Sequence, residues 1–411
     1  MKIQIIQHLD DIDPVQWNRL VADDYPFLRH EFLAALEHND CVGKAFGWLP
    51  HHITVCNDQG ELIGACPLYV KDNSYGEFVF DWAWAEAYER SGKAYYPKAV
   101  CAIPYTPATG PRLLVRSDCE RNEVVPALIE TALEFSRASR QSSLHYLFTD
   151  RADTQSLKDA GLMLRLSYQF HWTNPGYRDF EDFLDAFTAK KRKNLKRERR
   201  RVLEQGFSFR IVHGDEASDH DIRLATFFYA STFDKKWGTA TLNEGFFQQI
   251  AASMGKQLVL IFAELNGRSV AGAICFRSNN ALYGRHWGCF EDYHSLHFET
   301  CYYQGIDYCI EHQLRLFEPG AQGEHKISRG FLPTPTWSAH WIADSGFHKA
   351  VADFLVRETR AIREHIEILT QSSPYHADKT PELPDHFPLQ LLTRQQNTSY
   401  VTGEVPSPPA P

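Results

Sequence analysis

The chain has 411 residues, 43% of them hydrophobic, with a net charge of −9 and a sequence pI near 6.1. That length exceeds one ordinary core, so two domains are expected, and the acidic balance excludes a general affinity for nucleic acid or anionic membranes. No apolar run approaches the roughly 20 residues of a membrane-spanning helix, and nine cysteines without a Cys-x-x-Cys pair, behind an N-terminus that lacks a signal-peptide core, predict reduced thiols in a cytoplasmic protein.

Phe27, Leu28, Phe32, Leu33 and Leu36 recur at helical spacing and predict an amphipathic helix from Pro26 to Leu36. His51 to Val70 reads as a hairpin that turns at Asn57-Asp58-Gln59-Gly60. The prolines of Ile103 to Arg112 exclude a central strand there. A second helix is predicted from Asn122 to Ser136, then strands at Leu144–Phe148 and Leu162–Trp172 with a short helix between them.

After Asn174-Pro175-Gly176 the pattern begins again. One long helix is predicted from Phe180 to about Gln205, stopped by Gly206. Leu258–Ala263, the turn Asn266-Gly267 and Val270–Phe276 form a second hairpin, in which Gly272-Ala273 matches Gly64-Ala65 of the first. A strand at Leu282–Phe290, a helix at Leu296–His312, and strands at Leu314–Phe317 and Trp337–Ile342 follow. The fold class is therefore α/β with mixed sheets: two duplicated domains, 1–174 and 175–370, each closing its own sheet, and a Pro-rich tail, 371–411, expected to be disordered.

Reactive side chains concentrate in Leu314 to Phe331, where a short apolar run stops at Pro319-Gly320 and Glu324, His325, Lys326 and Arg329 follow among glycines. Tyr283 to Gly288 and Leu296 to Gln304 bring further polar groups, and these three stretches are expected to line one pocket. Lys190 to Arg201 holds nine basic residues and one acidic, a positive helical stripe suited to phosphates. A metal reading of His294-x-x-His297 lacks a second ligand pair, and no Gly-x-Ser-x-Gly elbow supports a serine hydrolase.

The repeated order of hairpin, strand, helix and strand resembles a tandem GNAT-type acyltransferase. Gly-Glu-Phe-Val-Phe-Asp (76–81), Tyr-Tyr-Pro-Lys (95–98), Tyr-Gly-Arg-His-Trp-Gly (283–288) and Gly-Ala-Gln-Gly-Glu-His-Lys (320–326) make the chain similar to the Fem-like group, and within it to predicted N-acyltransferases of peptidoglycan biosynthesis or recognition type. The resemblance implies transfer of an acyl or aminoacyl group from acyl-CoA or aminoacyl-tRNA to an amine, in a peptidoglycan-related acceptor, with no permanently bound cofactor. The GNAT pyrophosphate loop is glycine-rich; the corresponding Phe290 to Ser295 has no glycine and two carboxylates.

Acyl transfer to an amine needs a base and a charge stabiliser. His325 or Glu324 is the candidate base, Lys326 and Arg285 the candidate charge stabilisers, and Tyr283 a phenolic donor to the leaving group. Arg329, Gln322, Tyr303, His286, Tyr105 and Arg112 are candidate substrate-binding residues, and Lys191, Arg192 and Lys196 candidate contacts to tRNA or another polyanion. The competing reading is a non-catalytic protein that recognises a glycan or peptide with a degenerate transferase fold.

Overall fold

The computed structural model describes residues 1–234, 239–321 and 323–383. Its first-half strands are β1 (Lys2–Ile6), β2 (Trp48–Pro50), β3 (His52–Cys56), β4 (Leu62–Cys66), β5 (Leu68–Lys71), β6 (Lys98–Cys101), β7 (Leu114–Val115), β8 (Ser143–Thr149) and β9 (Met163–Thr173). The second half supplies β10 (Ser208–His213), β11 (Leu258–Leu265), β12 (Arg268–Arg277), β13 (Ala281–Cys289), β14 (Leu316–Glu318) and β15 (Leu332–Ile342).

Local chemistry explains the hairpins. Asn266 and Gly267 both adopt positive φ, 52° and 73°, as a two-residue turn with the twist of its strands requires. In the first hairpin the Asn57 side chain accepts from the amides of Gln59 and Glu61, and Pro67 separates β4 from β5. The matched glycines have one physical role. A Cβ on Gly64 would lie 2.4 Å from Val124 of helix Arg121–Ala138, and one on Gly272 2.9 Å from Phe228 of helix Asp219–Asp234. In each half a helix crosses the hairpin where a methyl group would obstruct it.

The halves do not close their sheets separately. β1, β3, β4 and β7 form a small sheet, and the other strands run continuously as β10-β11-β12-β13-β14-β9-β15-β8-β6-β5-β2. In the second half β13 is parallel to β14, and first-half β9 completes them antiparallel through Leu316↔Thr173 and Phe317↔Trp172. In the first half β6 is parallel to β8, and second-half β15 lies antiparallel beside β8. β9 and β15 then pair with each other from Leu332↔His171 to His340↔Met163. Each half is thus finished by a strand of the other, an arrangement in which neither carries a complete sheet.

Two further expectations are corrected. The predicted helix from Phe180 breaks into Phe180–Asp185 and Ala189–Glu204. The backbone between them pairs with a later segment: Thr188 donates to Pro374 O, His376 donates to Ala186 O, and Phe187 bridges Tyr375. The same contacts order the start of the tail, where buried Tyr375 packs on Phe183 and Phe187 and donates to Gly330 O at 2.8 Å. The rest of the tail expected to be disordered, 384–411, lies outside the described residues. Sequence reading also missed the helix Ser345–Thr370, capped by Asp344, which packs on β9 and β15.

Candidate active site

β13 and β14 pair only through Ala281–Tyr283 and Leu316–Glu318. Beyond that short ladder they part, and the split opens a cavity of about 240 Å³. Arg285, His286, His297, Tyr302, His325 and Lys326 line it, so the three stretches singled out in the sequence converge. Gly284 packs against Pro319 and Phe317 on one side of the split.

A bulge places Arg285. The β12–β13 register passes from Ile274↔His286 to Cys275↔Gly284, leaving Arg285 as the extra residue. Its guanidinium donates to Tyr105 O at 2.9 Å, and burial lowers its pKa to about 10. His286 stands edge-on to Tyr229 at 4.5 Å, and burial, reinforced by Arg285, takes its imidazole to about 3, so it is neutral.

Lys326 and His325 sit on a 3₁₀ turn, Glu324–Arg329, between positive-φ Gly323 and Gly330. The Lys326 ammonium is buried and donates to Gly320 O at 2.7 Å; burial brings its pKa down to about 7. His325 Nε2 lies 3.0 Å from Tyr302 Oη, and burial, with Arg329 and Lys326 nearby, lowers its pKa. Glu324 turns away: it pairs with His365 at 3.6 Å and lines a different cavity, about 700 Å³, on the first-half side. Ala321 lines both cavities.

Helix 296–311 contains a π turn, Glu299–Tyr303, which puts Tyr302 on the cavity of Arg285 and Lys326 and Tyr303 on a third cavity of about 240 Å³. That third cavity is basic. Lys191, Arg197, Arg201, His294 and Arg329 line it, together with Glu198, which pairs with Arg329 at 2.6 Å and accepts from Tyr303 Oη. Arg329 also covers the Phe298 ring at 3.5 Å. Buried Glu299 binds Arg199 at 2.8 Å and so bolts the basic helix to the π turn.

Several sequence candidates lie elsewhere. Tyr283 is in the core against Tyr25 and Phe27, because the bulge that presents Arg285 begins after it. Tyr105 donates to Cys41 O, and Arg112 is fully buried, donating to the carbonyls of Leu147, Pro111 and Ala108. They shape the loop that receives Arg285. Of the three helix cations chosen, Lys191 faces the basic cavity, whereas Arg192 pairs with Asp185 and Lys196 with Glu181. Arg197 and Arg201 were missed, although 191, 194, 198 and 201 share one helical face. Gln322 lies outside the described residues.

A family model for FemAB-like proteins, described as peptidoglycan biosynthesis/recognition, matches residues 8–377. The chain belongs to the FemAB-like family. A search of curated proteins by sequence returns no match. Among solved structures this FemAB-like chain is similar to FemX, with a TM-score of 0.52 at 12% identity over 86% of this chain and 100% of that one. The likeness shows a shared fold. Two others align more loosely: the C-terminal domain of a putative lysylphosphatidylglycerol synthetase from Agrobacterium fabrum (TM-score 0.49, 10% identity, 85% of this chain and 96% of that) and a tandem GNAT protein from the clavulanic acid biosynthesis pathway (0.44, 12%, 84% and 98%).

In the FemAB-like chain the segment Phe290 to Ser295 gives the basic cavity His294 and Ser295, the latter at φ 65°. Among the described residues no cluster of three or more His, Cys, Asp or Glu is placed to hold a metal ion, and no helix is long and apolar enough to cross a membrane.

Proposed function

We propose that the protein is an N-acyltransferase that moves an acyl or aminoacyl group from an activated donor, acyl-CoA or aminoacyl-tRNA, to an amine. The observation that carries this reading is that Lys326, His325 and Arg285 face one cavity in the split between two parallel strands. The amine nitrogen attacks the donor carbonyl, the carbonyl electron pair moves to oxygen, and the carbon–oxygen or carbon–sulfur bond to the donor then breaks. His325, held neutral by its surroundings, takes the amine proton. Arg285 and protonated Lys326 stabilise the oxyanion, and Lys326, with a pKa of about 7, also protonates the leaving group.

The donor phosphates occupy the basic cavity beside Tyr303, where Lys191, Arg197, Arg201 and Arg329 supply charge that does not depend on a glycine-rich loop. The family description supports a peptidoglycan-related acceptor. We place the boundary between the two domains near Asn174 and the reaction in the cytoplasm, where both donor types are made.

Mass spectrometry of the purified protein with acetyl-CoA or charged tRNA, and a mixture of amines, tests the reading. Donor consumption with a matching amide product is expected, lost in Lys326→Met. A protein that retains donor or amine without turnover is instead the recognition protein, a reading to which the separation of Glu324 from His325 lends weight.

A further inference from the structure

The motifs at 76–81 and 95–98 have no place in the reaction cavity, yet the fold brings them together. Lys98 is fully buried, and its ammonium donates to Ser74 Oγ, Glu77 Oε2 and Asp81 Oδ2 at 2.8, 2.8 and 2.5 Å. Tyr95 donates to the same Asp81 carboxylate at 2.6 Å. With Ser74, Glu77 and Asp81 drawn inward, the aromatic residues between and just after them turn outward. Tyr75, Phe78, Phe80 and Trp82 are 71, 41, 57 and 38% exposed, and Phe78 holds a φ of 57°, a conformation a bulky side chain rarely adopts. A buried ionic staple thus holds four aromatic rings out toward solvent, where an exposed apolar surface marks a ligand site.

These rings form one wall of the cavity of about 700 Å³, with Leu166 and Tyr168 of β9 and Ile362 on other sides. Its charge is one-sided. Among the described lining residues Arg165 is the one strong cation, and it is engaged: it grips Glu358 through both oxygens, at 2.9 and 2.7 Å, and donates to Phe80 O. The Glu324 side chain is 63% exposed and has His365 as its ion-pair partner at 3.6 Å. It stands three residues from Ala321, which the two cavities share. Such a cavity favours a cation on an apolar body and disfavours phosphate, which needs free guanidinium or ammonium groups.

We propose that this cavity binds the amine-bearing end of the acceptor, a primary amine on an apolar, ring-bearing group, and that any phosphate the acceptor carries lies outside it. The aromatic segment Tyr75–Trp82 takes the body, and Glu324 takes the ammonium beside Ala321, where it is handed to the reaction cavity. The term acceptor rests on the acyl-transfer reading; the binding site does not.

Isothermal titration calorimetry on the full chain tests it, with tryptamine and phenethylamine as probes and UDP-N-acetylglucosamine as the anionic comparison. Both arylalkylamines are expected to bind, and Tyr75→Ala, Phe80→Ala and Glu324→Gln each to weaken them about 2- to 5-fold, as removal of one exposed stacking ring or one exposed charged partner does. Tyr75, Phe80 and Glu324 are exposed, so their variants are expected to keep the wild-type circular dichroism and melting midpoint. Arylalkylamine binding that is absent, or unchanged in all three variants, overturns the proposal. So does UDP-N-acetylglucosamine binding that Phe80→Ala removes. Amine binding without turnover supports this site while removing acyl transfer, and turnover without arylalkylamine binding does the reverse.

Discussion

Glu324 and His325 are consecutive in the chain but serve different cavities: Glu324 pairs with His365 at 3.6 Å, and His325 meets Tyr302 at 3.0 Å. A 3₁₀ turn advances about 120° per residue, which is enough to send neighbouring side chains to opposite sides of a thin loop. The proposed base, His325, and the proposed amine-binding carboxylate, Glu324, are thereby separated, and they give distinct mutational signatures.

His325→Gln is expected to lower turnover about 10²- to 10⁴-fold with donor affinity nearly unchanged. Burial, Arg329 and Lys326 favour the neutral imidazole. The acidic limb of kcat/KM against pH is therefore expected below the roughly 6.5 of a free imidazole and to vanish in the variant. A limb that persists in His325→Gln and disappears in Glu324→Gln assigns the base to the carboxylate.

Lys326 links pH to stability. Its folded pKa is about 7, whereas an unfolded lysine titrates near about 10.4. Between those values the unfolded chain binds a proton that the folded chain does not, so this group destabilises the fold as pH falls through that window. Relative to Lys326→Met, the wild-type unfolding free energy is expected to rise on going from about pH 7 to about pH 9.5 by an amount on the order of a few kcal/mol. Paired denaturant titrations at the two pH values measure it. A parallel response in both proteins would mean that the buried amine keeps its proton.

The basic cavity predicts a hierarchy among cations on one helix. Replacing Lys191, Arg197 and Arg201 by Gln is expected to weaken tRNA binding and to reduce its salt slope by about 1 for each phosphate that is no longer neutralised. Arg192→Gln and Lys196→Gln are expected to do less, because those side chains already pair with Asp185 and Glu181. Fluorescence anisotropy across a salt series separates the two sets, and equal effects would dissolve the distinction.

Arg199→Met leaves the Glu299 carboxylate buried without its guanidinium, which costs about 3–5 kcal/mol in comparable buried pairs. Chemical denaturation is expected to show the loss, and Arg199→Met/Glu299→Leu to recover part of it. A single variant as stable as the wild type would show that the pair does not bolt the helix to the π turn.

Much of this was legible in the chain. The Asn266-Gly267 turn, the matched glycines 64 and 272 and the convergence of 283–288, 296–304 and 314–331 follow from period, turn chemistry and the density of reactive groups. Tyr283 and Arg285 show where that reading stops: two residues apart they belong on one face of a strand, and a bulge set by the register against β12 separates a core phenol from a cavity guanidinium. Likewise the helix from Phe180 looked unbroken, since its interruption comes from residues 374–376, almost two hundred positions away.

The sequence by itself determined the α/β class, both hairpins and the placement of a basic helix before β10, because periodicity and turn residues act within a few positions. Tertiary structure alone decided that β9 and β15 cross between the halves, that Glu324 and His325 part, and that Lys98 gathers Glu77 and Asp81 to hold an aromatic wall outward. Each of these depends on which distant backbone or charge is met. Strand partners and buried ion pairs are chosen by long-range packing, which no local pattern encodes.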